Sequence, residues 1–307
     1  MHDKKVTDYT ARKTRALLEN NLLPHFSERT PKGRIIRSVP IREIKHHQIT
    51  DLLKEKAKET EYTAKRLKQF LRRIWLFAVT SGYCESNIVA NISDEVLPAP
   101  KTKHISKITD EKLLGQMLRD IDAYTGSPIV KASLRFLSYT MLRASTLVTL
   151  KWAYVDFETQ TLTIPRSEMK VKDDNLNDFA LPLPHQSMRI LEEIKPFTGH
   201  SEYIFSIEGK PINKESGNKA LRLLGYNDPA KGIKQTLHSF RGTYRSLVET
   251  HQDQHGATYE VKEAVLDHQV GSKVERAYTH KSDYVKQMRE LLQWYADYLE
   301  EVKRGEL

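Results

Sequence analysis

The stretch TLHSFRGTYRSLVETH at residues 236–251 contains a histidine and an arginine three positions apart, His238 and Arg241. If a helix begins after Thr236, both side chains lie on one face near its N-terminus. Main-chain N–H groups at a helix start favour an anion, and a guanidinium adds a bidentate grip on phosphate oxygens. The pair alone is a weak signal, because this spacing is common by chance.

A second stretch, LDHQVGSKVERAYTH at residues 266–280, contains His268 and Tyr278. A tyrosine hydroxyl can attack a phosphate, but a phenol has an ordinary pKa of about 10 and needs a positive environment or a base. His268 and nearby arginines could supply both. The chain has 14 tyrosines, so composition alone also leaves these as candidate nucleophiles: Tyr259, Tyr284 and Tyr295.

Arg143 lies in TMLRASTLVTLKW at residues 140–152, between two apolar helical patterns. An arginine at such a junction either pairs with a structural carboxylate or binds an anion in a buried site. Taken singly, the structural interpretation is the commoner one.

Two short segments have the period-two pattern of half-buried strands, QTLTIP at 160–165 and DFALPLP at 178–184. The polar stretch RSEMKVKDDNLN between them is typical of a hairpin loop, and Lys170 lies near its start. A loop lysine is usually solvated. Its functional alternative is a mobile general acid that gives a proton to a leaving 5′ oxygen, with Lys172 as a rival for that role.

Residues 9–100 are predicted to be helical, with the strongest pattern at 61–80 and Gly82 where that helix should stop. The expected apolar stripe of this helix consists of Leu67, Phe70, Leu71, Ile74 and Phe77. Its basic residues fall on another face: Lys65, Lys68 and Arg72. That face is equally compatible with a solvated surface and with a helix laid against a DNA backbone.

Residues 97–107, LPAPKTKHISK, are typical of a linker, since two prolines resist regular structure. We therefore expect a helical domain at 1–100, a linker at 101–107 and a second domain at 108–307. Lys101 and Lys103 of the linker are further candidates for DNA contact.

Beyond the linker, Thr109 is the expected N-cap of a helix, and a second helix is expected from Val130 to Leu142. A last helix, Ser282 to Val302, has an apolar stripe that should bury against its own core or against a neighbouring protomer. Its members are Val285, Met288, Leu292, Tyr295 and Leu299.

The composition favours a polyanionic partner. The 307 residues have a formal net charge of +9 and a pI of about 9.3, and residues 1–100 hold 19 Lys and Arg against 12 Asp and Glu. A single cysteine, Cys84, fits a reducing compartment, and the sequence has neither a membrane-length apolar run nor a signal peptide. We expect a cytoplasmic, nucleoid-associated protein.

Two other kinds of site are disfavoured. His251 and His255 could pair on a helix like metal ligands, but they lack an intervening glutamate and an obvious third ligand. Glycine-rich phosphate loops are absent, which argues against an ATPase. We therefore expect neither a metal nor a cofactor.

In combination, these motifs resemble the tyrosine recombinases, also called phage integrases. LRASTLVTLKWAYVD is similar to the family's first arginine box, HSFR to its His-x-x-Arg box, and LDH followed by AYTH to its late histidine and nucleophile. The tail LLQWYADYLEE resembles integrases of temperate phages and genomic islands. The order of the motifs is more specific than any one of them, and the resemblance covers essentially the whole chain.

The resemblance implies a mainly α fold with a small antiparallel β-sheet, made of a helical core-binding domain and an α+β catalytic domain. Arg143 and Arg241 would hold the scissile phosphate, and His238 and Lys170 would move protons. His268 would orient the phosphate, and Tyr278 would form a 3′-phosphotyrosine link. The implied partners are a double-stranded core site of a mobile element or prophage, three further copies in a homotetramer, and accessory DNA-bending or excisionase proteins.

Three departures from the family pattern stand out. Thr146 occupies the position three after the first arginine, where an acidic residue is common, so support for the site should come from elsewhere. Gly242 replaces a frequent histidine. The chain also begins about where the core-binding domain should, without the usual N-terminal arm-binding domain, which suggests a shortened chain.

Two other functions fit part of the pattern. A DNA-binding protein with a decayed site would keep the charge and the fold, although it would be expected to lose some of the six candidate groups. A type IB topoisomerase shares the chemistry but relaxes supercoils as a monomer, whereas a recombinase needs a synaptic assembly.

Overall fold

A computed structural model describes residues 8–29, 31, 35–98, 106–172, 175–228, 230, 232–270 and 284–306. The chain divides into two compact units, residues 1–103 and residues 104–307. Each has its own hydrophobic core.

The first unit is mainly helical, but it also contains a hairpin that the sequence did not predict. Its helices are α1 (Asp8–Asn21), α2 (Leu23–Phe26), α3 (His46–Glu59) and α4 (Glu61–Thr80). Strands β1 (Ser27–Arg29) and β2 (Ile35–Ser38) pair antiparallel between α2 and α3. All four residues of β2 are exposed, so the strand has no alternating burial pattern from which it could be recognised.

Helix α4 buries the expected Leu67 and Leu71, but the rest of its buried stripe differs from the prediction. The side chains that face the core at helical spacing are Ala64, Leu67, Leu71, Trp75 and Ala78, whereas Phe77 is 58% exposed. Small alanines were not counted in the predicted stripe, although they let a neighbouring helix approach closely. The predicted stop is confirmed: Gly82 has a φ of +76°, and the Tyr83 N–H donates to the Ala78 carbonyl at 2.8 Å.

The second unit surrounds a central helix, α6 (Pro128–Thr140), which is buried along almost its whole length. The other helices are α5 (Glu111–Asp122), α7 (Ala144–Val148), α8 (His185–Thr198), α9 (Lys214–Leu223), α10 (Ser239–Thr250), α11 (Gln252–His255), α12 (Tyr259–Val265) and α13 (Val285–Arg304). Two small hairpins complete this unit, β6 (Ser206–Ile207) with β7 (Lys210–Pro211) and β8 (Asn227–Asp228) with β9 (Ile233–Lys234).

The predicted pair of strands is confirmed. Strand β4 (Thr161–Ile164) pairs antiparallel with β5 (Phe179–Pro182), with Leu162 opposite Leu181 and Ile164 opposite Phe179. A third strand, β3 (Val155–Asp156), lies on the other edge of β4. It is only two residues long, too short for a periodic pattern.

The boundaries of the next helices differ from prediction by one or two residues. The N-cap of α5 is Asp110 rather than Thr109, because the Asp110 carboxylate accepts the Leu113 N–H at 2.9 Å. Helix α6 begins at Pro128, whose fixed φ suits a first helical position. It ends before Met141, which has a left-handed φ of +48°.

The last helix, α13, buries its apolar face within its own unit. The predicted stripe members Met288, Leu292, Tyr295 and Leu299 are all buried, and α13 packs on α5, α6, α12 and β5. Gly115 of α5 permits the closest approach, since a Cβ there would lie 2.3 Å from the Val302 carbonyl oxygen. Within the described ranges, no helix combines the length and apolar character needed to cross a membrane.

Candidate active site

Arg143 follows the sharp turn that ends α6. The left-handed Met141 breaks the helix, Leu142 enters the core, and Arg143 precedes the first residue of α7. The guanidinium donates from Nη1 to Oδ2 of Asp267 at 3.0 Å. Arg143 is therefore a partner of a carboxylate, the first of the two interpretations that the sequence left open, and its charge also acts on the nearby His238 and Arg241.

Arg241 belongs to the His-x-x-Arg motif and lies near the start of α10. Thr236 and Ser239 exchange hydrogen bonds through their main-chain N–H groups and hydroxyls, which fixes this helix start. Arg241 is 5% exposed and donates to the carbonyl oxygens of Met141 at 2.8 Å and Leu266 at 2.6 Å. One guanidinium thus joins the end of α6 to the end of α12.

His268 follows α12 and contacts a charged group at each ring nitrogen. Nδ1 lies 2.7 Å from Oε2 of Glu263, and Nε2 lies 2.8 Å from Nη2 of Arg241. Because Glu263 can only accept and Arg241 can only donate, the neutral ring carries its proton on Nδ1. Glu263 in turn accepts Nε of Arg245 at 2.7 Å. No motif in the sequence indicated this carboxylate.

The charges in the pocket affect one another strongly. Burial, followed by the neighbouring Arg143, lowers the pKa of Arg241 to about 10, and Asp267 and Glu263 oppose that change. Arg241 nevertheless remains protonated at neutral pH. Two charged arginines close enough to affect each other are suited to bind an anion.

His238 lies just before α10 and has four of the other candidate residues as electrostatic neighbours. Its pKa is lowered from 6.5, first by partial burial and then by the charges of Arg241, Arg143, Lys170 and His268. The structure therefore brings five of the six predicted residues together.

The resemblance to tyrosine recombinases implies DNA cleavage, and for that reaction we expect the acid side of the pH–rate profile to reflect His238. A lowered pKa means that the ring is neutral at pH 7 and can accept a proton, and that activity declines only as the pH falls below about 6.5. The measurement is the cleavage rate at limiting protein and DNA, from pH 5 to 9, for the wild type and for His238→Gln. An acid inflection at or above 6.5 would contradict the assignment, as would an inflection that persists unchanged in the variant.

Lys170 is exposed and follows a 3₁₀ turn, Arg166–Glu168, in the connection between β4 and β5. Its charge acts on His238, whereas the charge of its rival Lys172 acts on Glu168. This contrast favours Lys170 over Lys172 as the lysine near His238.

Two further residues, Asp267 and Arg166, belong to this group, although the sequence motifs did not identify them. Asp267 accepts from Arg143 through Oδ2 and from Nη1 of Arg166 through Oδ1, the latter at 2.7 Å. The acid lay in the quoted LDH motif, beside the candidate His268. One clue in the sequence pointed to such an acid: Thr146 leaves the first arginine box without its usual carboxylate.

Tyr278 and the linker residues Lys101 and Lys103 lie outside the described residues. Among the alternative nucleophiles, Tyr295 is fully buried, which raises the pKa of its hydroxyl far above the ordinary value, and Tyr259 lies against the guanidinium of Arg245. Tyr284 lines a cavity of about 310 Å³ together with Arg166, Asp267 and His268. Tyr284 is therefore the alternative that needs an experimental control.

The predicted DNA-binding face of α4 needs one correction. Lys65 and Arg72 are exposed, but Lys68 is only 8% exposed. It lies between Leu67 and Leu71 on the side of the helix that faces the core. Lys65 and Arg72 therefore remain candidates for phosphate contact, and Lys68 does not.

His255 has a structural role. Its Nε2 donates to the Val248 carbonyl at 2.7 Å, and its Nδ1 accepts the Ala257 N–H at 3.0 Å. Both ring nitrogens are occupied by the main chain, so neither is available to a metal. Within the described residues, no group of three or more His, Cys, Asp or Glu side chains is arranged to hold a metal ion.

Gly242 allows a close approach by Lys107. A Cβ at this position would lie 3.1 Å from Cδ of Lys107, whose Nζ is hydrogen-bonded to Oγ of Ser246. The start of the second unit thus lies against α10 where a larger residue would crowd it.

Sequence comparisons identify relatives of both parts of the chain. The profile described as "Phage integrase family" matches residues 107–284, and that described as "Phage integrase central domain" matches residues 1–95. The chain is 28% identical to "Putative protein IntB" of Escherichia coli (strain K12), over 97% of this chain and 74% of IntB. It is 27% identical to "Prophage integrase IntA" of the same strain, over 89% of this chain and 63% of IntA.

Solved structures with a similar fold include a lambda integrase dimer bound to a COC′ core site, with a TM-score of 0.61 and 18% identity over 94% of this chain and 90% of that one. The Tn1549 transposon integrase in complex with circular intermediate DNA has a TM-score of 0.63 and 15% identity over 94% of both chains. A lambda integrase tetramer bound to a Holliday junction has a TM-score of 0.62 and 17% identity over 87% of this chain and 74% of that one.

Proposed function

The chain belongs to the phage integrase family, and we propose that it is a site-specific DNA recombinase that integrates or excises a mobile element through a covalent 3′-phosphotyrosine intermediate. The observation that carries this proposal is the contact between motifs that lie far apart in the sequence. Arg241 lies 2.8 Å from Nε2 of His268, and Arg143 binds Asp267 beside that histidine. The charges of both arginines and of Lys170 also act on His238. Their order along the chain is also the order of the family's motifs.

In the proposed reaction, the Tyr278 hydroxyl attacks the scissile phosphate and the bond from phosphorus to the 5′ oxygen breaks. His238, neutral at pH 7, assists removal of the tyrosine proton, and Lys170 gives a proton to the departing 5′ oxygen. Arg143 and Arg241 stabilise the charge that develops on the phosphate oxygens, and His268 orients the phosphate. The chain's own cations thereby supply the electrostatic stabilisation that phosphoryl transfer requires.

Rejoining reverses this sequence. A 5′-hydroxyl attacks the phosphotyrosine, the tyrosine leaves, and a DNA phosphodiester forms again. Because the ester conserves the energy of the broken bond, the exchange requires no nucleotide hydrolysis. If the attacking hydroxyl belongs to a second duplex, the strands are exchanged.

The DNA partner and the assembly are parts of the same proposal. The basic surplus of residues 1–100 and the exposed Lys65 and Arg72 support sequence-independent contact with the phosphate backbone. By analogy with the lambda integrase tetramer on a Holliday junction, four copies would act on two paired core sites. The proposed partners also include accessory DNA-bending or excisionase proteins. The proposed place of action is the cytoplasmic nucleoid.

The proposal is tested with a nicked suicide substrate that contains the junction sequence of the element. We expect a covalent protein–DNA adduct to accumulate in excess EDTA. Cleavage releases a short fragment that carries the new 5′-hydroxyl, and this fragment diffuses away before it can rejoin. Loss of the adduct when divalent metal is chelated would contradict the mechanism. A DNA-binding protein with an unused site would bind this substrate and form no adduct.

A plasmid assay separates the recombinase from a topoisomerase. We expect deletion or inversion between two core sites on one plasmid, and little relaxation of a supercoiled plasmid that lacks the site. Rapid relaxation of the plasmid without a site, together with no recombination, would favour the topoisomerase.

A further inference from the structure

We propose that Asp267 is the positioning carboxylate of this active site, and that it replaces the acid missing at Thr146. Its two oxygens bind two different arginines, Arg143 at 3.0 Å and Arg166 at 2.7 Å. The side chain of Asp267 is only 7% exposed, so water screens these contacts weakly. The inference rests on the function proposed above.

The position of Asp267 in the chain makes it a link between motifs. It is separated from Arg143 by 124 residues and from Arg166 by 101, and it directly precedes His268. One carboxylate therefore connects the first arginine box, the loop that carries Lys170 and the late histidine. Thr146 is buried and has no charge to offer Arg143.

Arg166 transmits this link to the loop before β5. Its Nε donates to the Asn177 carbonyl at 2.9 Å, and its main-chain N–H donates to Oδ1 of Asp178 at 2.8 Å. Arg166 thus holds both ends of the segment that contains Lys170. When Nη1 binds Asp267 as well, this segment is attached to the end of α12.

Asp267 leaves the arginines able to bind a phosphate. Each guanidinium has five N–H donors. Asp267 takes two from Arg143, one on its side chain and one on its carbonyl, and Asp267 and Asn177 take one each from Arg166. The carboxylate also separates two positive groups that would otherwise repel each other. We therefore infer that it orients Arg143 for the scissile phosphate and does not compete with that phosphate.

The backbone at Asp267 allows its carboxylate to be tested separately from its conformation. Its φ is +51°, a left-handed value that glycine adopts easily and that asparagine tolerates about as well as aspartate. Asp267→Gly and Asp267→Asn both suit the turn and remove the charge. If the turn were the only contribution of this residue, the glycine variant would be fully active.

The experiment measures single-turnover adduct formation on the suicide substrate at saturating protein. For Asp267→Gly and Asp267→Asn we expect the rate to fall about 10- to 100-fold, because a misplacement of about 1 Å can cost that much, while DNA affinity stays within about 2-fold. The matched control is Glu208→Gly, which removes an exposed carboxylate at another left-handed residue, φ +52°. That variant should cleave at the wild-type rate.

Three results would overturn the inference. Wild-type cleavage by Asp267→Gly would reduce the residue to a turn former, and faster cleavage by Asp267→Asn would mean that the carboxylate competes with phosphate. The third concerns the double variant of Asp267→Asn and Arg166→Gln. A shared contact predicts that the second change adds little to the first, so a rate loss equal to the product of the two single losses would contradict it.

A stability measurement keeps this inference separate from the proposed function. In chemical denaturation, the losses of unfolding free energy caused by Asp267→Asn and Arg166→Gln should be non-additive in the double variant, whether or not the protein cleaves DNA. If the wild type forms no adduct, the proposed function fails while this coupling still reports on the contact. Additive losses would reject the contact itself.

Discussion

Replacing Tyr278 with phenylalanine is expected to abolish the covalent adduct, a loss of at least about 10⁴-fold, because the attacking oxygen is removed. The phenyl ring keeps nearly the same size and shape, so DNA binding should change little. The measurement is adduct formation on the suicide substrate, with DNA affinity determined in parallel.

Tyr284→Phe is the matched control for this prediction. Tyr284 lines the cavity that also contains Arg166, Asp267 and His268, and it lies six residues after Tyr278. We expect the Tyr284 variant to form the adduct at close to the wild-type rate. The reverse pattern, with an adduct in the Tyr278 variant and none in the Tyr284 variant, would move the nucleophile to Tyr284.

The second large effect is expected for Arg241→Lys, with cleavage reduced about 10³-fold or more, as for other arginines that stabilise phosphoryl transfer. Arg241 already donates to the carbonyl oxygens of Met141 and Leu266 and lies against Nε2 of His268. A lysine retains the charge but has one compact donor group, so it cannot make these contacts and also donate to a phosphate.

The same substitution should lower the free energy of unfolding by about 1–3 kcal/mol, because at least one buried carbonyl loses its donor. Arg135→Lys is the control: Arg135 pairs with Asp122 and Glu193 between α5, α6 and α8. That variant should lose some stability and keep full cleavage. Wild-type cleavage by Arg241→Lys would remove Arg241 from the proposed phosphate site.

The parts of the fold with strong periodic patterns were predictable from the sequence. The strand pair β4–β5, helix α6 and helix α13 each show one clear period, and they form where it indicates. The hairpin β1–β2 was missed because β2 is exposed throughout. The stripe on α4 was only partly predicted, because Ala64 and Ala78 contribute to burial without being large.

The candidate residues were proposed from motifs in a recognisable order, and Lys170 from its place in the loop between two strands. Their carboxylate partners could not be predicted, since a partner is defined by proximity in the folded chain. Glu263 is five residues from His268, but Asp267 is 124 residues from Arg143. The substitution at Thr146 indicated only that a carboxylate was needed from elsewhere, and folding determined that it came from the end of α12.

The central claim, that Tyr278 becomes covalently linked to DNA, is tested most directly by identifying the modified peptide. Trypsin should place Tyr278 in AYTHK, residues 277–281, and Tyr284 in SDYVK, residues 282–286. The adduct formed in EDTA is digested with nuclease and trypsin and analysed by mass spectrometry. We predict a nucleotide joined through its 3′-phosphate to the tyrosine of AYTHK. A nucleotide on SDYVK or on any other peptide would contradict the account.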